Sequence, residues 1–263
     1  IADRLLRHNR RRVAKTIRAA SVSTGGWSVD ASADPVAASR TAVRAALAGG
    51  AAPADVAVLT RVNATLAPVQ VALAAEGIPT RGGVGIEFVD RTAIRAALAW
   101  LRLATGGGQL DPDDIGEALR RPSRSLHPRV RDWVMEQRSI DALRRLAGRV
   151  TNEKDSGRID EFADAIERLR SMAAGGAPTA RLMAVLVDEI GLGGAVATLD
   201  ANRRGMNRTA QGDDLLALRQ LAGMHADPVT FEGWLRESLQ RSWSADGVAL
   251  ATVIETWGSA PRP

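Results

Sequence analysis

The chain has 263 residues, 45% hydrophobic and 25% charged, which suits a globular protein with one large core or two modest ones. It has no cysteine, which excludes disulfides, thiolate metal sites and cysteine nucleophiles, and no apolar run approaches the roughly 18 residues of a membrane span. The net charge of +5 is carried almost wholly by arginine, Lys15 and Lys154 being the only lysines, and this balance leans toward phosphate-bearing partners.

Aromatic residues make up only 3% of the chain and tyrosine is absent, so the core must be aliphatic and alanine-rich. Residues 1–20 carry seven Lys/Arg against one Asp, and the stripe Ala2, Leu6, Val13, Ile17 reads as a helix interrupted at Asn9. "IADRLLRHNRRR" has no secretory h-region, so a cytoplasmic location is expected. After "STGG", Trp27–Ala31 reads as a short strand. Asp34-Pro35 supplies an N-cap and first turn for a helix that ends at Gly49-Gly50.

The apolar run Val56-Ala57-Val58-Leu59 reads as a buried strand over 56–60, followed by a polar turn and an amphipathic helix near 66–76. Arg61 and Asn63 come directly after that strand. Spacing alone allows two roles for the pair: starting the turn and capping the next helix, or facing a ligand crevice at a strand's carboxyl end. "GIPTRGGVG" adds a further short extended piece. The order strand, helix, strand, helix, strand points to half of a parallel α/β sheet.

From Arg91 the pattern changes. Ile94, Leu98, Leu101 and Ala104 form a helical stripe, and further helical patterns lie near 112–121, 127–137, 139–148, 158–173, 178–190, 213–224 and 228–241. Asp111-Pro112, Pro178-Thr179 and Asp227-Pro228 mark helix starts. "GVALATVIET" at 247–256 returns to strand. The predicted fold is therefore α/β plus all-α: a partial parallel sheet with a large helical bundle inserted in it.

Several short segments, in order, resemble superfamily I DNA helicases of the UvrD/PcrA/Rep group. Ala57-Val58-Leu59-Thr60-Arg61-Val62-Asn63-Ala64 matches that family's AVL-x-R-x-N-A segment. Pro68 through Leu73 and then Gly77-Ile78-Pro79 match the family's next helix and its G-I-P exit, with Gln70 where the family usually has Glu. Phe88, Arg91, Ile94, Arg95, Ala97, Leu98 and Leu101-Arg102-Leu103 fit its F-x-x-R-x-x-I-R-x-A-L-x-x-L-R-L run. "HNRRRVAKTIRA" and "HADPVTFEGWLRESL" with "DGVALATV" are similar to flanking family segments, and "RRPSRSLHPRV" resembles its P-x-R-G turn with Ser125 in place of Gly.

The resemblance covers about residues 1–253. It implies a partial second RecA-like domain over 1–88, an inserted helical subdomain over 89–245, and a returning strand with an atypical tail over 246–263. It implies a fragment of an ATP-dependent 3′-to-5′ DNA helicase of replication or repair, partnered by single-stranded and duplex DNA and by the missing N-terminal RecA-like domain. Arg61, Asn63, Arg91 and Arg124 would be the DNA-binding residues, and Asn9 would end the first helix. ATP and Mg²⁺ would belong to the full-length protein: this sequence has no G-x-x-x-x-G-K-[ST] loop and no D-E-x-Q-D acidic pair, so no catalytic residue is assigned and the fragment alone is expected to hydrolyse no ATP. The tail "IETWGSAPRP" instead resembles a segment of XdhC-type molybdenum-cofactor maturation proteins, which suggests a chimeric join. The alternative is a non-catalytic DNA- or protein-binding helical module derived from such an enzyme.

Other features read as structural. His8, His127 and His225 are too dispersed for a metal site, and Asp113-Asp114 and Asp213-Asp214 sit where carboxylates favour a helix N-terminus. "GLGGA" at 191–195 reads as a loop, and Trp133 and Trp234 as bundle packing. Trp100 reads as core, with a base-stacking platform as its alternative. Arg120, Arg121, Arg124, Arg129 and Arg131 form a basic cluster that suits either a solvated face or duplex contact.

Overall fold

A computed structural model of the chain describes residues 26–202, 209–241 and 243–252. Readings that fall on the helix of residues 1–20, on Asn9 and on the tail 253–263 lie outside the described residues. Residues 1–33 and 34–263 form two separate contact units. In the first, Trp27–Ala31 forms no strand, and Trp27 and Val29 are both largely exposed. The short apolar pattern there has no partner strand among the described residues to pair with.

In the second unit, Asp34 accepts hydrogen bonds from the Val36 and Ala37 backbone N–H groups, and Pro35 opens helix α1, Pro35–Ala48, as expected. Strand β1, Ala57–Thr60, leads to helix α2, Leu66–Ala75, and strand β2, Thr80–Gly82. Strand β3, Val248–Thr252, closes the sheet after all the helices beyond β2. The order is β1-β3-β2, both pairings are parallel, and Thr60 stands opposite Thr252 at the carboxyl ends.

Two details of this region differ from the sequence reading. Strand β1 is not buried on both faces: Ala57 and Leu59 face outward, with Leu59 56% exposed, while Val56 and Val58 pack with Val248 and Leu250 against α1 and α2. Helix α2 is not amphipathic, because every residue from Leu66 to Leu73 is buried. Leu66, Val69, Ala72 and Leu73 face the sheet, and Ala67 and Val71 face the helical core, so two apolar stripes share one helix.

The helices beyond β2 are α3 Thr92–Thr105, α4 Pro112–Arg120, α5 Pro128–Met135, α6 Ile140–Ala147, α7 Glu153–Ala174, α8 Thr179–Ala184, α9 Leu192–Ala201, α10 Ala210–Ala222 and α11 Phe231–Arg241. The predicted stripe of α3 is buried, and so are Ala93, Ala96, Ala97, Ala99, Trp100 and Leu103, which makes α3 the central helix. Its alanines let α4, α7 and α10 approach closely, and Trp100 meets Phe162 of α7 edge to face at 5.4 Å. No single helix among the described residues is long and apolar enough to cross a membrane.

Caps account for most differences in helix bounds. Asn152 accepts from the Lys154 and Asp155 N–H groups, so α7 starts at Glu153 and runs through Gly157 instead of starting after it. A π-helical turn, Val185–Glu189, comes after α8, and Gly191 at φ 98° reverses the chain into α9, where a loop was expected. Asp227 closes a turn on Val229 and Thr230 rather than opening a helix, which delays α11 to Phe231. Ser125 adopts φ 50°, a conformation that favours glycine, in the turn where the helicase pattern carries Gly.

Candidate functional site

The turn after β1 is fixed by threonines. The Val62 carbonyl accepts from the Thr60 hydroxyl at 2.9 Å, the Thr65 hydroxyl at 2.8 Å and the Thr65 N–H at 3.2 Å. With its middle carbonyl tied inward, the turn leaves Arg61 and Asn63 exposed. Both line a cleft of about 550 Å³ with Thr252, off the carboxyl ends of β1 and β3. That is the place where open α/β sheets bind ligands.

The opposite wall is made where the N-termini of α3 and α10 converge, at Asp90, Arg91, Thr92, Thr209, Gln211, Asp213 and Asp214. Arg91 directly precedes α3; its guanidinium bonds Asp214 Oδ1 at 2.8 Å and lies 5.1 Å from the Phe88 ring centre. Gln211 Oε1 accepts from the Ala93 N–H at 3.1 Å, satisfying a donor of the first turn of α3. Asp200 of α9 does the same for α10, accepting from the Gln211 and Gly212 N–H groups at 3.1 and 2.8 Å. This distant cap also explains why α10 begins at Ala210 and not near residue 213.

Burial pushes the Asp214 carboxyl above its usual range, and nearby Asp213 and Asp200 add to the rise, while the bond and charge of Arg91 oppose it. Arg91 is thus committed to Asp214. Arg61 has no ion pair among the described residues. Asp213 is the helix-start carboxylate expected from sequence, with Oδ2 accepting the Thr209 hydroxyl at 2.8 Å.

Three of the four predicted DNA-binding residues, Arg61, Asn63 and Arg91, therefore meet at one cleft. Arg124 does not. Its guanidinium lies 5.9 Å from both the Trp100 and Phe162 ring centres, its side chain is only 13% exposed, and burial holds its pKa below the ordinary arginine value. A guanidinium wedged there offers little surface to a phosphate, and it lies away from the cleft, packed on Trp100 and Phe162.

The rest of that basic cluster is only partly paired. Arg120 and Arg121 both bond Glu117, and Arg131 lies beside Asp132. Trp100 is fully buried, its Nε1 donating to the Arg121 carbonyl at 2.9 Å, which makes it core. Trp133 departs from the expected packing: it is 41% exposed on α5, while Trp234 stacks on His225 at 4.8 Å and packs against the core. His127 Nδ1 accepts from the Arg129 N–H and opens α5.

Thr60, Thr65, Gln211 and Asp200 were not singled out from the sequence. A hydroxyl on each side of the R-V-N turn is the only signal for the first two; the others act across sequence gaps that carry no local pattern. No protein-family model and no curated protein sequence matches the chain.

Proposed function

We propose that this chain is part of an ATP-dependent superfamily I DNA helicase of the UvrD/PcrA/Rep type, supplying one wall of the single-stranded DNA groove together with a helical subdomain for duplex DNA. In this reading residues 1–88 and 246–252 belong to the second RecA-like domain, and 89–245 are inserted between its strands. ATP and Mg²⁺ are held mainly by the other RecA-like domain, whose phosphate loop and acidic pair have no counterpart in this sequence. The observation that carries the reading is the placement of the Arg61-Val62-Asn63 turn at the carboxyl end of a parallel strand, with Arg61 exposed and without an ion pair among the described residues. Arg61 would bind a backbone phosphate, and the Val62 carbonyl clamp would hold it in place.

The test is binding of fluorescent single-stranded oligonucleotides, measured by anisotropy over a series of salt concentrations. Arg61→Ala is expected to weaken binding and to lower the salt dependence by roughly one charge, with the helical signal unchanged. An unchanged slope would reduce Arg61 to a turn residue. The second reading, a binding module without motor function, draws on the open outer face of β1, where Leu59 stands exposed.

A further inference from the structure

Among the described residues, the charges lining the cleft are mixed. Its lining holds two arginines, Arg61 and Arg91, against three aspartates, Asp90, Asp213 and Asp214. Arg91 and Asp214 neutralise each other at 2.8 Å. Arg61 shares the lining with Asp90 and Asp213, neither of which has a cationic partner among the described residues. A groove that only tracked a nucleic-acid backbone would be cationic along its length. Among the described lining residues, a second phosphate would meet carboxylates.

We propose that the cleft receives one nucleotide of a single strand, its phosphate on Arg61 and its base edge on Asp213, and so prefers cytosine to thymine. This rests on the single-stranded DNA reading above and adds a base preference to it. The cleft volume of about 550 Å³ lies within the range of small-ligand sites. Asp213 stands in the first turn of α10, and the Thr209 hydroxyl fixes its Oδ2, leaving Oδ1 without a hydrogen bond among the described residues. A carboxylate accepts from the N4 amino group of cytosine. Thymine presents a carbonyl oxygen at the same ring position, which the carboxylate repels. The two bases share ring size, sugar and phosphate, so stacking and backbone charge largely cancel between them.

The experiment compares fluorescent oligo(dC) and oligo(dT) of equal length by anisotropy, at low salt and near neutral pH, with the protein, Asp213→Asn, Asp90→Asn and Arg61→Ala. The protein should bind oligo(dC) about five- to tenfold more tightly. Asp213→Asn should bring the two within about twofold, chiefly by tightening oligo(dT), because an amide both donates and accepts. The salt slope should not fall in that variant. Asparagine can still accept the Thr209 hydroxyl, and an unchanged circular dichroism spectrum checks the fold. Equal affinities in the unaltered protein, with Arg61→Ala still lowering the salt slope, overturn the base preference and leave the groove reading standing. A preference that survives Asp213→Asn, or one that disappears with Asp90→Asn instead, also overturns it. Absence of binding to both oligonucleotides overturns the two readings together.

Discussion

The helical core and the sheet bury their apolar residues in different ways. Around α3, residues from α4, α7 and α10 close on every side, and Trp100 and Phe162 are fully buried at the centre. Among the described residues, the sheet is covered by α1 and α2 on one face only; on the other, Leu59 is exposed and Ala249 and Ala251 are half-buried. Parallel sheets are ordinarily covered on both faces. The helical part thus completes its own core, while the sheet is packed by α1 and α2, of which α2 gives a stripe to each cluster.

The sharpest way to probe the closed core is Trp100→Ala. It removes the largest fully buried side chain, its edge-to-face contact with Phe162 and the hydrogen bond to the Arg121 carbonyl. The expected loss is about 3–5 kcal/mol, read as a lower denaturant midpoint by far-UV circular dichroism.

The joint between the two regions is tested by Gln70→Glu. Gln70 is buried on α2, its Nε2 donating to the Val84 and Leu239 carbonyls and its Oε1 accepting from the Val84 N–H. A carboxylate keeps the acceptor and faces two carbonyl oxygens with no proton to offer. The expected cost at neutral pH is about 2–4 kcal/mol. Burial raises the folded-state pKa of the new carboxyl above its unfolded value near about 4.3. The electrostatic part of the cost is therefore absent below that unfolded value and grows as pH rises toward the folded one. Thermal melts that show the same deficit at all pH values would contradict this assignment.

The smallest effect is expected on the open face. Leu59→Thr exchanges an exposed leucine for a residue that keeps strand propensity, and the change in stability should stay within about 0.5 kcal/mol. A loss as large as that of a core residue would mean that this face is covered in solution.

Local signals carried much of the fold. Asp34-Pro35 and Asp111-Pro112 opened helices where expected, because a cap and a fixed φ act within one turn. The stripe Ile94, Leu98, Leu101, Ala104 located the central helix, and β3 was recognised as a return to strand. Arg61 and Asn63 stood out as a polar pair directly after an apolar strand, and Arg91 was picked out by the family resemblance alone. The double burial of α2 was not legible, since an apolar run does not say how many cores it faces. The placement of Arg124 was not legible for a related reason: charge density along a chain does not reveal which guanidinium lies over aromatic rings. The Asp200 cap and the Gln70 clamp join segments brought together only by the finished fold.

The sheet's middle strand is its last in sequence. β1 and β2 are not neighbours; each pairs with β3, which comes after every helix from α3 to α11. During synthesis both outer strands are made early and wait with unpaired inner edges until Val248–Thr252 arrives. Closing a loop of that length as free chain carries a larger entropic cost than a short connection does. A helical core that assembles first shortens the effective loop by holding Ile86–Asp90 and α11 against each other. Sheet closure is then expected to be the slow, late step of folding, and the waiting strand edges the place where association between unfinished chains would begin.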